Sequence, residues 1–419
     1  VLNVHTLESV SCFTSLGDSG YVRILPAIAA LLLLPLVPTA AHAAPSGTYY
    51  VTGVRTGLNV AQSGTGLALH RPKGNEDHQQ WRLSDGRFEN TDSPGQCITR
   101  QLTMGSCAQA DAVHELRQFG DQWEFFGLGG ESRWYLTPVS ARTEPMPADP
   151  RLDQMTFLTA HNAYANGVDG GFAPPFVDLA KNQTRGIVQQ LADGVRGFML
   201  DIHQTADGAI LCHNSCTLVS RPVALNVDLQ RIVDFLGNNR SEIVTVFLED
   251  YVDANTLRAE LRKVRGLNDV LYRAEGVSQN GWPTRGQMQA SNKRLIIFTD
   301  HGKDGREDSG VLYQKDWTVE NHWSMGPGVG ASDWSCYSRW DEKPLTATGS
   351  FQPLFVMNHF RDVPFSSTAT TDNGKLANRA QQLCQPAARK KPNFLAVDLY
   401  HLGNTAQAVG LLNSYVYRP

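Results

Sequence analysis

Charge of one sign is scarce in this chain. Its 419 residues hold 37 Lys and Arg against 41 Asp and Glu, a net charge of −4, so there is no basic excess of the kind a nucleic-acid partner favours. Long apolar runs are rare too. The N-terminal run Ile24–Val37 is short beside the ~20 apolar residues of a membrane span, and Pro26, Pro35 and Pro38 punctuate it. Cysteine is sparse, seven in all. No dimer signal is visible, so a monomer is expected.

What the N-terminus does contain is an export pattern. Arg23 precedes the apolar run, and Ala41-His42-Ala43 supplies a small-x-small cleavage site. Residues 1–21 sit oddly ahead of such a signal, and one reading starts translation near Val22. The region 1–43 is therefore read as signal, with a secreted mature chain from Ala44. Cys12 lies upstream of that cleavage, leaving six cysteines. An even number in an oxidising compartment suggests pairing. Nearest neighbours would give Cys97–Cys107, Cys212–Cys216 and Cys336–Cys384. A bridge across Cys212-His213-Asn-Ser-Cys216 would stiffen the loop that carries an imidazole. The competing metal reading of that loop needs more ligands.

The length exceeds one ordinary core, so two domains are expected. Residues 44–141 show short β-type runs, frequent glycine and a weak repeat: Gly57-Leu-Asn59-Val recurs at Gly95-Gln-Cys-Ile and at Arg133-Trp-Tyr-Leu. Gln79-Gln-Trp81 and Gln122-Trp123 close two of the units. The pattern resembles the ricin-type β-trefoil lectins, which implies a small all-β module and makes a glycan its candidate partner. The third unit lacks its closing Gln-x-Trp, and Asn59 and Thr99 stand where such lectins commonly carry a sugar-binding acid. A structural module with Trp81 and Trp123 in its core is the other reading. Residues 142–150 are rich in proline and polar groups, as a linker is.

From 151 to 419 strand-like runs alternate with helical patterns, the helices expected at Gln183–Ala192, Asp228–Leu236, Ala254–Val264, Lys375–Leu383 and Thr405–Leu412. Such alternation over this length predicts α/β architecture as a (β/α)8 TIM-like barrel. Several apolar runs end in polar groups: His161-Asn162, Asp201-Ile-His203, His213, Glu249-Asp250, Asp300, Asn358-His359 and Asp398. A parallel barrel builds its active site from the C-terminal ends of its strands. His161 and His213 suit general acid–base work, and the oxygen set Asn162, Asp201 and Glu249 suits Ca²⁺ or Mg²⁺. Together they fit phosphodiester cleavage. His203 and Asp300 are further candidates for substrate or phosphate contact. Two loop readings complete the pass: Trp317–Trp340 as an insert folded over the barrel rather than an interfacial patch, and Lys303–Asp308 as a solvated, charge-mixed turn.

Ala160-His161-Asn162-Ala-Tyr164, Gly194-Val-Arg-Gly-Phe-Met-Leu-Asp201, Leu211-Cys-His213, Ser241 through Tyr251 and Pro392 through Tyr400 together resemble the phosphatidylinositol-specific phospholipase C X-domain family. The resemblance implies a distorted barrel acting on a phospholipid at a membrane surface, with His161 and His213 catalytic. It implies Ca²⁺ held by Asn162, Asp201 and Glu249, and Asp398 orienting His161. Two departures are visible. Met199 stands where the calcium-dependent branch has an acid. The metal-free branch has an acid at the Asn162 position and an arginine at that of His203. Two alternatives carry different predictions: a glycerophosphodiesterase or sphingomyelinase D-like enzyme, and a carbohydrate or cell-surface binding protein with a weakly active barrel.

Overall fold

Eight parallel strands follow one another around a ring: β1 (Phe157–Ala160), β2 (Gly197–Thr205), β3 (Val244–Tyr251), β4 (Leu295–Thr299), β5 (Leu312–Tyr313), β6 (Thr318–Glu320), β7 (Leu354–His359) and β8 (Phe394–Val397). Each pairs with its successor and β8 returns to β1, except that no ladder joins β5 to β6 among the described residues. The result is a (β/α)8 barrel with one open seam. This computed structural model describes residues 45–419 apart from 73–76, 140–141, 170–180, 214–215, 217–221 and 303. The export-signal segment and the start near Val22 lie outside the described residues.

Period-two alternation sorts the strand side chains into two layers. Phe157, Phe247, Ile296, Phe298, Leu312, Leu354, Val356 and Phe394 fill the barrel interior. Their neighbours Leu158, Leu200, Val246, Ile297, Met357 and Leu395 belong to a second, outer layer, which also holds Leu225, Leu229, Ile232 and Leu236. These last four lie on α1 (Leu225–Asn238), whose apolar face they form. Both strand faces are therefore covered, which is why the runs read as almost continuously apolar. The expected helices at 183–192, 254–264 and 405–412 occur as Ile187–Ala192, Ala254–Lys263 and Thr405–Leu412. The one expected at 375–383 is Leu376–Arg379 running into a π-helical turn, Ala380–Cys384. Between β6 and β7 residues 321–353 hold no helix or strand, and this excursion replaces a regular crossover.

Residues before the barrel form a ten-stranded all-β sheet, antiparallel throughout. Trp81 and Trp134 are fully buried at its centre, and Trp123 packs beside them half-buried. Asn59 is buried, bridging Thr52 and Gln79. Thr99 is buried and paired with Thr103. The proline-rich stretch read as a linker is tied down over part of its length. Arg142–Pro145 pairs antiparallel with Tyr415–Arg418, so the two ends of the barrel region meet in a two-stranded sheet. All three nearest-neighbour disulfides are present: Cys97–Cys107, Cys212–Cys216 and Cys336–Cys384. Arg306 corrects the solvated-turn reading of Lys303–Asp308. It is buried, and its Nε donates to Asp250 Oδ2 at 2.7 Å, because a buried carboxylate needs a partner.

Candidate active site

The inward phase of each strand continues past its apolar residues into a polar one at the C-terminal end. Thr159 leads to His161, Met199 to Asp201, Phe247 to Glu249, Phe298 to Asp300 and Ala396 to Asp398. Asp201 and Glu249 are register partners on neighbouring strands. These ends open into a cavity of about 590 Å³ lined by His161, Asn162, Asp201, His213, Glu249 and Asp300. Six of the residues expected from the sequence therefore share one pocket.

His161 is held from behind. Its Nδ1 lies 2.8 Å from Oδ1 of buried Asp398, to which Asn182 Nδ2 also donates at 2.9 Å. The ring lies flat on Phe360, centroids 3.5 Å apart, and Gln183 Nε2 donates to the His161 carbonyl at 2.8 Å. An ionised carboxylate only accepts, so it fixes the proton on Nδ1 and leaves Nε2 as the basic nitrogen. Asn162 and Leu399, each next to a member of this dyad, have φ of 42° and 45°. Left-handed backbone is unusual for leucine and tends to persist at functional positions.

The second imidazole arrives on the bridged Cys212–Cys216 loop. Burial, and then the charge of His161, push the His213 pKa below its usual value, while Glu249 and Asp398 pull upward. Asp201 is buried and accepts from Tyr164 Oη at 3.0 Å. Burial and the neighbouring Glu249 hold its carboxyl far above the ordinary carboxylate range. Asp300 is pushed up to about 6, chiefly by burial. Tyr251 Oη hydrogen-bonds Glu249.

His203 does not reach the pocket lining. Its ring stacks on Tyr251 at 4.5 Å, and Nε2 is enclosed without a hydrogen-bond partner among the described residues. Ligand atoms of His203, Cys212 and Cys216 lie within 4.8 Å of one another, but the two sulfurs are spent on their bridge. A metal reading of that loop is thereby excluded in the oxidised protein.

Most of the far wall was not foreseen. Buried Glu320, at the end of β6, accepts from Arg339 Nη1 at 3.0 Å and from Asn358 Nδ2 at 2.7 Å through Oε1, and from Gln314 Nε2 at 2.8 Å through Oε2. Arg339 and Trp323 come from the excursion and line the cavity. Asn358 is one of the polar strand ends read from the sequence, where it has no assigned role. Arg339 has no local signal. Of the four tryptophans in 317–340, Trp317 packs on Phe351 at 5.1 Å, Trp334 lies 5.2 Å from the Lys375 ammonium and Trp340 lies 5.8 Å from that of Lys315. Only Trp323 of the four is strongly exposed, at 45%.

A parallel barrel with a His–Asp pair, a second imidazole and clustered carboxylates at its C-terminal mouth defines a pocket suited to acid–base chemistry. The PI-PLC X 1 family model matches residues 151–413, and the chain belongs to that family. A PI-PLC X domain-containing protein of Arabidopsis thaliana is 32% identical over 260 residues, 59% of this chain and 58% of that protein. An uncharacterized secreted protein of Arthroderma benhamiae is 24% identical over 321 residues, 67% of this chain and 68% of the other. Among solved structures, a phosphatidylinositol-specific phospholipase C of Staphylococcus aureus gives a TM-score of 0.42 at 13% identity, covering 63% of this chain and 93% of that one. The Listeria monocytogenes enzyme gives 0.41 at 13%, covering 64% and 95%.

Proposed function

We propose that this is an extracellular phosphoric diester hydrolase that cleaves the head-group phosphodiester of an inositol-type phospholipid. The observation that carries the reading is the convergence of His161, backed by Asp398 at 2.8 Å, and His213 on one cavity. Nε2 of His161 would take the proton from the attacking hydroxyl of the head group. Asp398 would steady the imidazolium that forms. His213 would deliver a proton to the departing glycerol oxygen. Its lowered pKa in the free protein favours the neutral form, and the negative charge of a bound phosphate reverses that bias. The acid is thus loaded as substrate arrives.

Asn162, Asp201 and Glu249 fit a hard divalent cation such as Ca²⁺. All three offer oxygen, Asp201 and Glu249 are adjacent in register, and Asn162 is buried along the cavity wall. Bound there, such an ion supplies charge neutralisation at the phosphate and acidifies the attacking hydroxyl. Met199, at the position of the family's further acid, lines the pocket as an apolar side chain. The secreted relative and the disulfide-bonded cysteines support an extracellular setting.

The test is diacylglycerol release from phosphatidylinositol vesicles, with and without chelator. His161→Ala and His213→Ala are each expected to lower turnover by about 10²–10⁴-fold. Unchanged turnover in either variant overturns the two-histidine mechanism. Release of free head group instead of diacylglycerol would point to the sphingomyelinase D-like alternative.

A further inference from the structure

The all-β region touches the barrel on the excursion that builds the far wall of the pocket. The Arg71 guanidinium sits 3.6 Å over the Tyr337 ring. Tyr337 stacks on His322 at 5.1 Å and 24°, and His322 stacks on Trp323 at 5.5 Å and 21°. His322 also donates its backbone N–H to the Tyr337 carbonyl at 2.9 Å. Trp323 lines the cavity, and so does Arg339, two residues beyond Tyr337. Beside Arg71, the Pro72 carbonyl accepts from Cys336 N at 3.2 Å.

We infer that Arg71 is a positioning residue for the pocket: through the Tyr337–His322 stack it sets Trp323 against the substrate, so the all-β region tunes lipid recognition in the barrel. This rests on the phosphodiesterase reading above. The contact is built for placement rather than for holding the excursion on. Cys336 is bridged to Cys384, and buried Arg379 donates to the Trp334 and Ser335 carbonyls at 3.1 Å each. Those ties fix the middle of the segment from the barrel side. The ion pair of Arg71 with Asp333 is long, 3.8 Å, with both side chains about half exposed, and contacts of that kind contribute little. A planar cation over an aromatic face contributes more and fixes orientation.

The experiment is a double-mutant cycle on the full chain, with phosphatidylinositol vesicles as substrate. Arg71→Ala is expected to raise apparent KM by about three- to tenfold, the range of one cation–π contact, with kcat changed less and the melting temperature nearly constant. Arg71→Lys keeps the charge near Asp333 but not the flat stack, so it should follow the alanine variant. In a Trp323→Ala background the Arg71 effect should largely vanish, because coupled residues are non-additive. An Arg71→Ala effect of equal size in both backgrounds, or none in either, overturns the inference. If the wild type releases no diacylglycerol, the functional reading is what fails. The coupling is then read from acrylamide quenching of Trp323, taken as the difference between the wild type and Trp323→Phe. Quenching that rises on Arg71→Ala supports it, and unchanged quenching sinks it.

Discussion

The two halves of the barrel mouth are made differently. On one side β1 to β4 and β8 form a continuous ladder, and each inward strand end presents a titratable group: His161, Asp201, Glu249, Asp300 and Asp398. On the other, beyond the seam between β5 and β6, the wall is a hydrogen-bonded knot of Glu320, Asn358, Gln314 and Arg339. The first half can move protons. The second offers a fixed guanidinium whose pKa is raised by Glu320 and which feels the charges of Glu249 and Asp300 across the pocket. A protein whose substrate is an anion needs both, and here they sit on opposite walls.

Removing the guanidinium separates these tasks. Arg339→Gln leaves the histidines and Asp398 in place. It should raise KM for an anionic phospholipid by roughly 10–100-fold, as loss of one charge-assisted contact does. The effect on kcat should be smaller. Steady-state kinetics on mixed micelles decides it. A fall in kcat at constant KM would mean that Arg339 acts on the transition state, and the division of labour between the walls would be wrong.

The acid–base half is probed by pH. In the free protein the His213 pKa lies below 6.5, through burial and then the charge of His161. The alkaline limb of kcat/KM, which reports the free acid, should therefore fall below pH 6.5. Bound phosphate stabilises the imidazolium, so the alkaline limb of kcat should sit at higher pH. Coincident limbs would show that substrate does not load the acid.

The same contrast decides what could be read from the amino-acid sequence. The ladder half was legible because three kinds of regularity coincide there: continuous apolar runs, polar termini and a family motif around His161, Asp201 and Glu249. Even its second layer was partly visible, since Asp398 ends a strand. Asn182 and Phe360, which complete the setting of His161, carry no such mark and are recognised only through contact. The excursion has no periodicity, so Arg339 and its partner Glu320 could not be paired from spacing. His203 failed for a different reason. It has the inward parity, yet it lies beyond the mouth, where Tyr251 covers it. Arg71 lies far away along the chain, and nothing short of the fold joins it to Tyr337.

His359 gives the sharpest contrast with His213, since burial lowers the pKa of both imidazoles. His359 falls to about 3 through burial and then the charge of Arg379, but it lines no part of the main cavity. Its Nε2 lies 2.9 Å from the Asp372 carbonyl, and its Nδ1 lies 3.3 Å from Arg379 Nη1. A ring that donates from Nε2 and accepts at Nδ1 must be neutral, so here the shift is structural and has no proton to move. The unfolded chain binds a proton near pH 6.5 that the folded one refuses until about 3. The contribution is therefore complete above 6.5 and is lost as pH falls through that window, roughly 3–5 kcal/mol in all. His359→Gln, which can still donate and accept, should cost about 1–3 kcal/mol at pH 7 and flatten the decline between pH 6.5 and 4. Urea midpoints at three pH values measure it, and an acid decline as steep as in the wild type would return the pH sensitivity of the fold to its carboxylates.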